Sequence, residues 1–135
     1  MTCVRALIDT NVLVSALLFG GVPGQVVDAA RDGRVDGIVS LHILAELREV
    51  LTRPRFGLDV HLADLLAEEI AQFCEVVPVE RASDTWCIDA DDDPVVEAAL
   101  SAGAKVVVTG DAHLLSLEIE GVRFVDAAEF VAELG

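Results

Sequence analysis

Apolar positions follow two alternating rhythms along the chain. Short unbroken runs, "VRALI" (4 to 8), "GIVS" (37 to 40), "CEVVPV" (74 to 79), "KVVVTG" (105 to 110) and "VRFV" (122 to 125), show no polar alternation and read as strands covered on both faces. Between them lie helical patterns. "NVLVSALL" (11 to 18) follows the first strand directly, and "QVVDAARDG" (25 to 33) ends on a helix-stopping glycine. "LHILAELREVLTR" (41 to 53) carries an apolar stripe at 41, 44, 47 and 51 and meets Pro54 at its end. "VHLADLLAEEIAQF" (60 to 73), "PVVEAALSAG" (94 to 103), the short "DAHLLSL" and the terminal "AAEFVAEL" complete the set. "FGGVPG" (19 to 24) has turn chemistry and reads as a loop, and "WCIDADDD" (86 to 93) reads as an acidic loop. Strands alternating with helices predict an open α/β/α sandwich around a central parallel sheet, with residues 1 to 135 as one domain.

Composition sharpens this picture. Hydrophobic residues make up 53% of the chain and aromatics 4%, so the core is built from Val, Leu, Ile and Ala. The net charge of −15 argues against nonspecific nucleic-acid binding through a broad basic surface, and against attraction to anionic membranes. The excess is lopsided: residues 1 to 67 hold six Arg against eight acidic residues, whereas residues 68 to 135 hold three basic against sixteen acidic. Bound cations or a basic partner suit the second half. Cys3, Cys74 and Cys87 form neither a C-x-x-C pair nor a zinc spacing, which points to a reducing cytoplasm. No secretory signal pattern and no stretch of 18 uncharged apolar residues is present, so neither secretion nor membrane insertion is expected.

Against this apolar background, Asp9 needs a reason. A buried, unpaired carboxylate costs several kcal/mol, so it needs strong hydrogen bonds, a cation, or a place at the rim of the core. Asp9 and Asp111 each stand where an apolar strand ends and a helix begins. Each alone reads as an N-cap. Together they share the edge of a parallel sheet where the C-terminal ends of strands form ligand crevices. "DADDDPVVEAAL" adds Asp89, Asp91, Asp92 and Asp93 before a helix. Only one can be the cap, and crowded like charges need a counter-ion; Asp93 is the favoured ligand and Asp92 its rival. Glu46 lies on the flank of its helix's apolar stripe, where an ordinary surface glutamate is the simpler reading. If three or four of these groups meet, oxygen donors favour Mg²⁺ or Mn²⁺, and such a site serves phosphoryl chemistry through metal-activated water.

Other chemistries leave no signature. His42, His61 and His113 lack ligand spacing, the serines lack a G-x-S-x-G elbow, and the glycines form neither a P-loop nor G-x-G-x-x-G.

"ALIDTNVLVSALL", "ILAELREVLTRPRF", "DADDDPVVEAALSAGAKVVVTGD" and the following "HLL", in this order and spacing, resemble the PIN domain family, in particular its bacterial toxin-like branch related to VapC-type ribonucleases. The resemblance spans nearly the whole chain. It implies a metal-dependent ribonuclease, the toxin of a toxin–antitoxin system, whose acidic cluster corresponds to Asp9, Glu46, Asp93 and Asp111. It raises Glu46 from surface residue to ligand, and suggests Asn11 and Thr109 as supporting polar neighbours, although either also suits a turn or cap. It further implies a homodimer and a cognate antitoxin that neutralises the enzyme. RNA is expected to meet Arg48, Arg53 and Arg55, which equally suit pairing with Glu49 and nearby acids. No aromatic stacking stripe supports single-strand recognition.

Three rivals belong to other classes. A haloacid-dehalogenase-like phosphatase expects a second Asp two residues after the nucleophile, where this chain has Asn11. A receiver-like phospho-acceptor expects a lysine after a late strand, but the only lysine, Lys105, precedes "VVVTGD". A catalytically silent PIN-like binding scaffold predicts a missing acid, and none is missing.

Overall fold

A computed structural model describes residues 3–79 and 93–134. Most of the acidic loop, including Asp89, Asp91 and Asp92, lies outside the described residues, as does Cys87. The elements run β1 (Arg5–Ile8), α1 (Thr10–Phe19), α2 (Gly21–Arg31), β2 (Asp36–Ser40), α3 (Leu41–Leu51), α4 (Val60–Phe73) and β3 (Glu75–Val77). After the acidic loop come α5 (Pro94–Ala102), β4 (Val106–Val108), α6 (Ala112–Leu115), β5 (Arg123–Val125) and α7 (Ala127–Leu134).

The five strands form one parallel sheet in the order β3-β2-β1-β4-β5, with Leu7 opposite Ile38 on one side and Val107 on the other. The chain moves outward from β1 through β2 to β3, then returns to the far side of β1 for β4 and β5. The right-handed crossover rule places the helices that join β1 to β2 and β2 to β3 on one face and those that join β3 to β4 and β4 to β5 on the other, whereas α7, after the last strand, packs against α2. The order reverses between β1 and β4, so a crevice opens beyond their C-terminal ends.

The apolar runs are strands because both faces are covered: Ala6, Leu7, Ile8, Ile38, Val39, Val107 and Val108 have no exposed surface. Packing is tight enough to specify a glycine. A Cβ at Gly37 would lie 2.9 Å from Cys74 Sγ and 3.0 Å from the Cβ of Ala30.

One expected loop is largely helix. Within "FGGVPG", Gly20 alone separates α1 from α2, and the two axes bend by 104° across it. Gly20 takes φ +69° and ψ −120°, a conformation open to a residue without Cβ. Pro23 then falls in the first turn of α2, where a missing N–H costs nothing. Among the described residues, no single helix is long and apolar enough to cross a membrane.

The two edges of the sheet handle charge differently. At the N-terminal edge Arg5 bonds Asp36 at 2.7 Å, Glu75 at 3.1 Å and the Ala102 carbonyl at 2.7 Å. At the C-terminal edge no Arg or Lys among the described residues pairs with the carboxylates in this way.

Candidate active site

Asp9 follows β1 directly and caps α1. Its Oδ1 accepts from the Thr10 backbone N–H at 2.8 Å. Its Oδ2 accepts from the Thr109 hydroxyl at 2.8 Å and from Asn11 Nδ2 at 3.2 Å. At 5% exposure this is the buried carboxylate anticipated from the apolar run. Burial pushes its pKa above the usual carboxyl range; the bonds from Thr109 and Thr10 pull it back, and the charges of Glu46 and Asp93 push it up again.

Thr109 and Asn11 also tie the end of β1 to the segment after β4. The Thr109 hydroxyl accepts from the Asp111 N–H at 3.0 Å, and Asn11 Oδ1 accepts from the Gly110 N–H at 2.9 Å. Each therefore spans the crevice at which the strand order reverses.

The other carboxylates arrive on separate elements. Asp111 caps α6 by accepting from the His113 N–H at 2.8 Å, and Asp93 caps α5 by accepting from the Val95 N–H at 2.8 Å, with Pro94 at the first helical position. Glu46 rides on α3, whose start is set by Ser40 accepting from the Ile43 N–H at 3.0 Å. His42, Glu46 and Val50, spaced four apart, present one face of that helix to the crevice.

Asp9, Asn11, Glu46, Asp93 and Asp111 all line one cavity of about 490 Å³. No Arg or Lys forms an ion pair with any of the four acids among the described residues. The buried Thr10 hydroxyl, on the same wall, has no hydrogen-bond partner among them either. No three His, Cys, Asp or Glu side chains among the described residues close into a compact ligand group. The four acids bring hard oxygen donors, the class of ligand that Mg²⁺ and Mn²⁺ take.

A family model for the PIN domain matches residues 5–113. The chain belongs to the PIN domain family. Among solved structures, the crystal structure of VapBC2 from Rickettsia felis bound to a DNA fragment from their promoter matches with a TM-score of 0.60 at 13% identity, covering 90% of this chain and 98% of that one. That likeness is one of fold. A search of curated proteins returns no match.

The arginines of this PIN domain separate. Arg53 and Arg55 line the cavity, Arg53 also pairing with Glu49 at 3.1 Å and Arg55 lying 4.9 Å from the centroid of the Phe56 ring. Arg48 instead pairs with Asp64 at 3.3 Å and does not line the cavity. Phe19, Ser15 and Phe56 join the lining without having been named as site residues in the sequence, and so does His42, which was set aside there for lack of ligand spacing. The spacing of Asn11, Ser15 and Phe19, four apart on α1, was the available signal.

Proposed function

We propose that this PIN domain is a Mg²⁺- or Mn²⁺-dependent ribonuclease that hydrolyses RNA phosphodiester bonds, and that it is the toxin of a toxin–antitoxin pair acting in the cytoplasm. The observation that carries this reading is the meeting of four carboxylates, from four separate stretches of chain, in one cavity where no Arg or Lys among the described residues forms an ion pair with any of them. A divalent cation bound there supplies activation of water and charge neutralisation at the phosphate.

The chain's own residues prepare that chemistry. Thr109 and Asn11 fix the rotamer of Asp9 from two directions. The caps at Asp93 and Asp111 each hold one oxygen to backbone and leave the other to the cavity. Arg53 and Arg55 bring positive charge to the rim, where phosphates flanking the cleaved one would pass. The fold shared with VapBC2 of Rickettsia felis supports a cognate antitoxin as partner, and a homodimer is the proposed assembly.

The test is incubation of purified protein with a mixed panel of structured and unstructured RNAs in Mg²⁺, Mn²⁺ or EDTA, beside Asp9→Asn. Metal-dependent products absent from the variant support the proposal. Cleavage by neither protein in any condition overturns it in favour of a binding scaffold.

A further inference from the structure

Phe19 is out of place for a core residue. It is 76% exposed, while Phe130 is buried and Phe56, Phe73 and Phe124 are half-buried. Phe19 ends α1, and with Asn11 and Ser15 it forms the face of that helix that lines the acidic cavity. The helix rise puts it about 15 Å along the axis from Asp9, at the opposite end of this wall. Beyond the end of α3, the other wall-forming helix, Phe56 lines the same cavity with the Arg55 guanidinium 4.9 Å from its ring centroid. One cavity therefore holds carboxylates at one end of α1, an open aromatic ring at the other, and a cation beside a second ring.

We propose that Phe19 is a stacking platform for an unpaired nucleobase that flanks the cleaved bond. The inference rests on the ribonuclease reading and names a residue that positions its substrate. An exposed aromatic face accepts any base without hydrogen-bond readout. In a duplex both faces of a base are already stacked on neighbours, so the platform selects strands whose bases can splay out. The separation from Asp9 assigns the base to a nucleotide flanking the cleaved one. Arg55, held beside Phe56, contacts a phosphate of the same flanking segment.

The experiment compares wild type, Phe19→Ala and Phe19→Trp on short single-stranded RNAs of defined sequence, and on a series in which one abasic position is moved along the strand. Base–aromatic stacking of ordinary strength predicts that Phe19→Ala raises KM by roughly 5- to 150-fold with kcat little changed, because a flanking contact is held equally in ground and transition states. Phe19→Trp restores KM. At one flanking position, loss of the base imposes the same penalty on wild type and adds none to Phe19→Ala. A wild-type KM for Phe19→Ala overturns the proposal, as does an abasic penalty equal in both proteins at every position. A change of oligomeric state in Phe19→Ala with cleavage intact also overturns it, and assigns the ring to a protein contact. Absence of cleavage by wild type in any metal instead removes the ribonuclease reading, and this proposal with it.

Discussion

Thr109 offers the sharpest test of how the carboxylate edge is held together. Its side chain is fully buried, and its hydroxyl donates to Asp9 Oδ2 at 2.8 Å while accepting from the Asp111 N–H at 3.0 Å. Thr109→Val keeps the volume and removes the hydroxyl. A hydrogen bond to a charged acceptor contributes about 1.5–3 kcal/mol, and the partly buried Asp111 N–H adds about 0.5–1 kcal/mol. The variant is therefore expected to lose about 2–4 kcal/mol in urea unfolding at neutral pH, and on the order of 10 °C in Tm. Thr109→Ser keeps the hydroxyl and loses one buried methyl, worth about 1 kcal/mol.

The pH dependence has a definite sign. Asp9 titrates above its unfolded value in the native state, so the native state binds more protons in that window and stability falls as pH rises through it. Thr109 pulls the Asp9 pKa down, so removing its hydroxyl raises that pKa further and deepens the fall. The gap between wild type and Thr109→Val thus opens as pH rises through the titration of Asp9 and is full at neutral pH. Below the ordinary carboxyl range the Asp9 part shrinks to that of a neutral bond, about 1 kcal/mol, while the Asp111 N–H part of about 0.5–1 kcal/mol persists. Equal stability of the two proteins at neutral pH, or a gap unchanged by acid, would refute the reasoning.

Asp9→Asn removes a buried charge while keeping an oxygen for the Thr10 N–H, so the metal-free variant should melt at or above wild type at neutral pH, lose that advantage in acid, and gain no Tm from added Mg²⁺. A lower melting point at neutral pH would contradict this. Gly37→Ala should cost about 1–3 kcal/mol by overpacking, because its Cβ meets Cys74 Sγ at 2.9 Å; in denaturant titrations, adding Cys74→Ala should give a combined loss smaller than the sum of the two. Ser40→Ala deletes the cap of α3 and should lower stability by about 1 kcal/mol, read by thermal melting.

Much of the architecture was legible because the two apolar periods do not overlap. α4 and α7 fall on the bounds expected, since each has an uninterrupted helical pattern between residues that break it. The segment after α1 was misread because Gly and Pro are turn formers on average, whereas a helix tolerates Pro in its first turn and needs one flexible residue to bend. Strand-end logic led to Asp9 and Asp111, which need only the parallel sheet to meet. Arg48 and Arg53 lie five residues apart, yet one pairs with Asp64 on α4 and the other reaches the cavity. That division depends on how α4 packs against α3, which periodicity does not encode. Phe19 was hidden for a similar reason: an apolar residue at the end of an apolar helix looks like core until the packing of the helix leaves it exposed.

Capping and metal binding stood as competing readings of these aspartates, and the geometry makes them compatible. Asp9, Asp93 and Asp111 each cap a helix by accepting a backbone N–H at 2.8 Å through Oδ1. A carboxylate has two oxygens, and a cap uses one. The N-terminal ends of α1 and α5, of 10 and 9 residues, also set partial positive charge beside the acids there. Part of the repulsion between neighbouring carboxylates is thereby met by the fold itself, which lets acidic side chains crowd an edge where no Arg or Lys among the described residues forms an ion pair with them. Asparagine caps a helix about as well as aspartate, so Asp→Asn at positions 93 and 111 separates the two roles: the cap persists, and what disappears is the charge available to a cation.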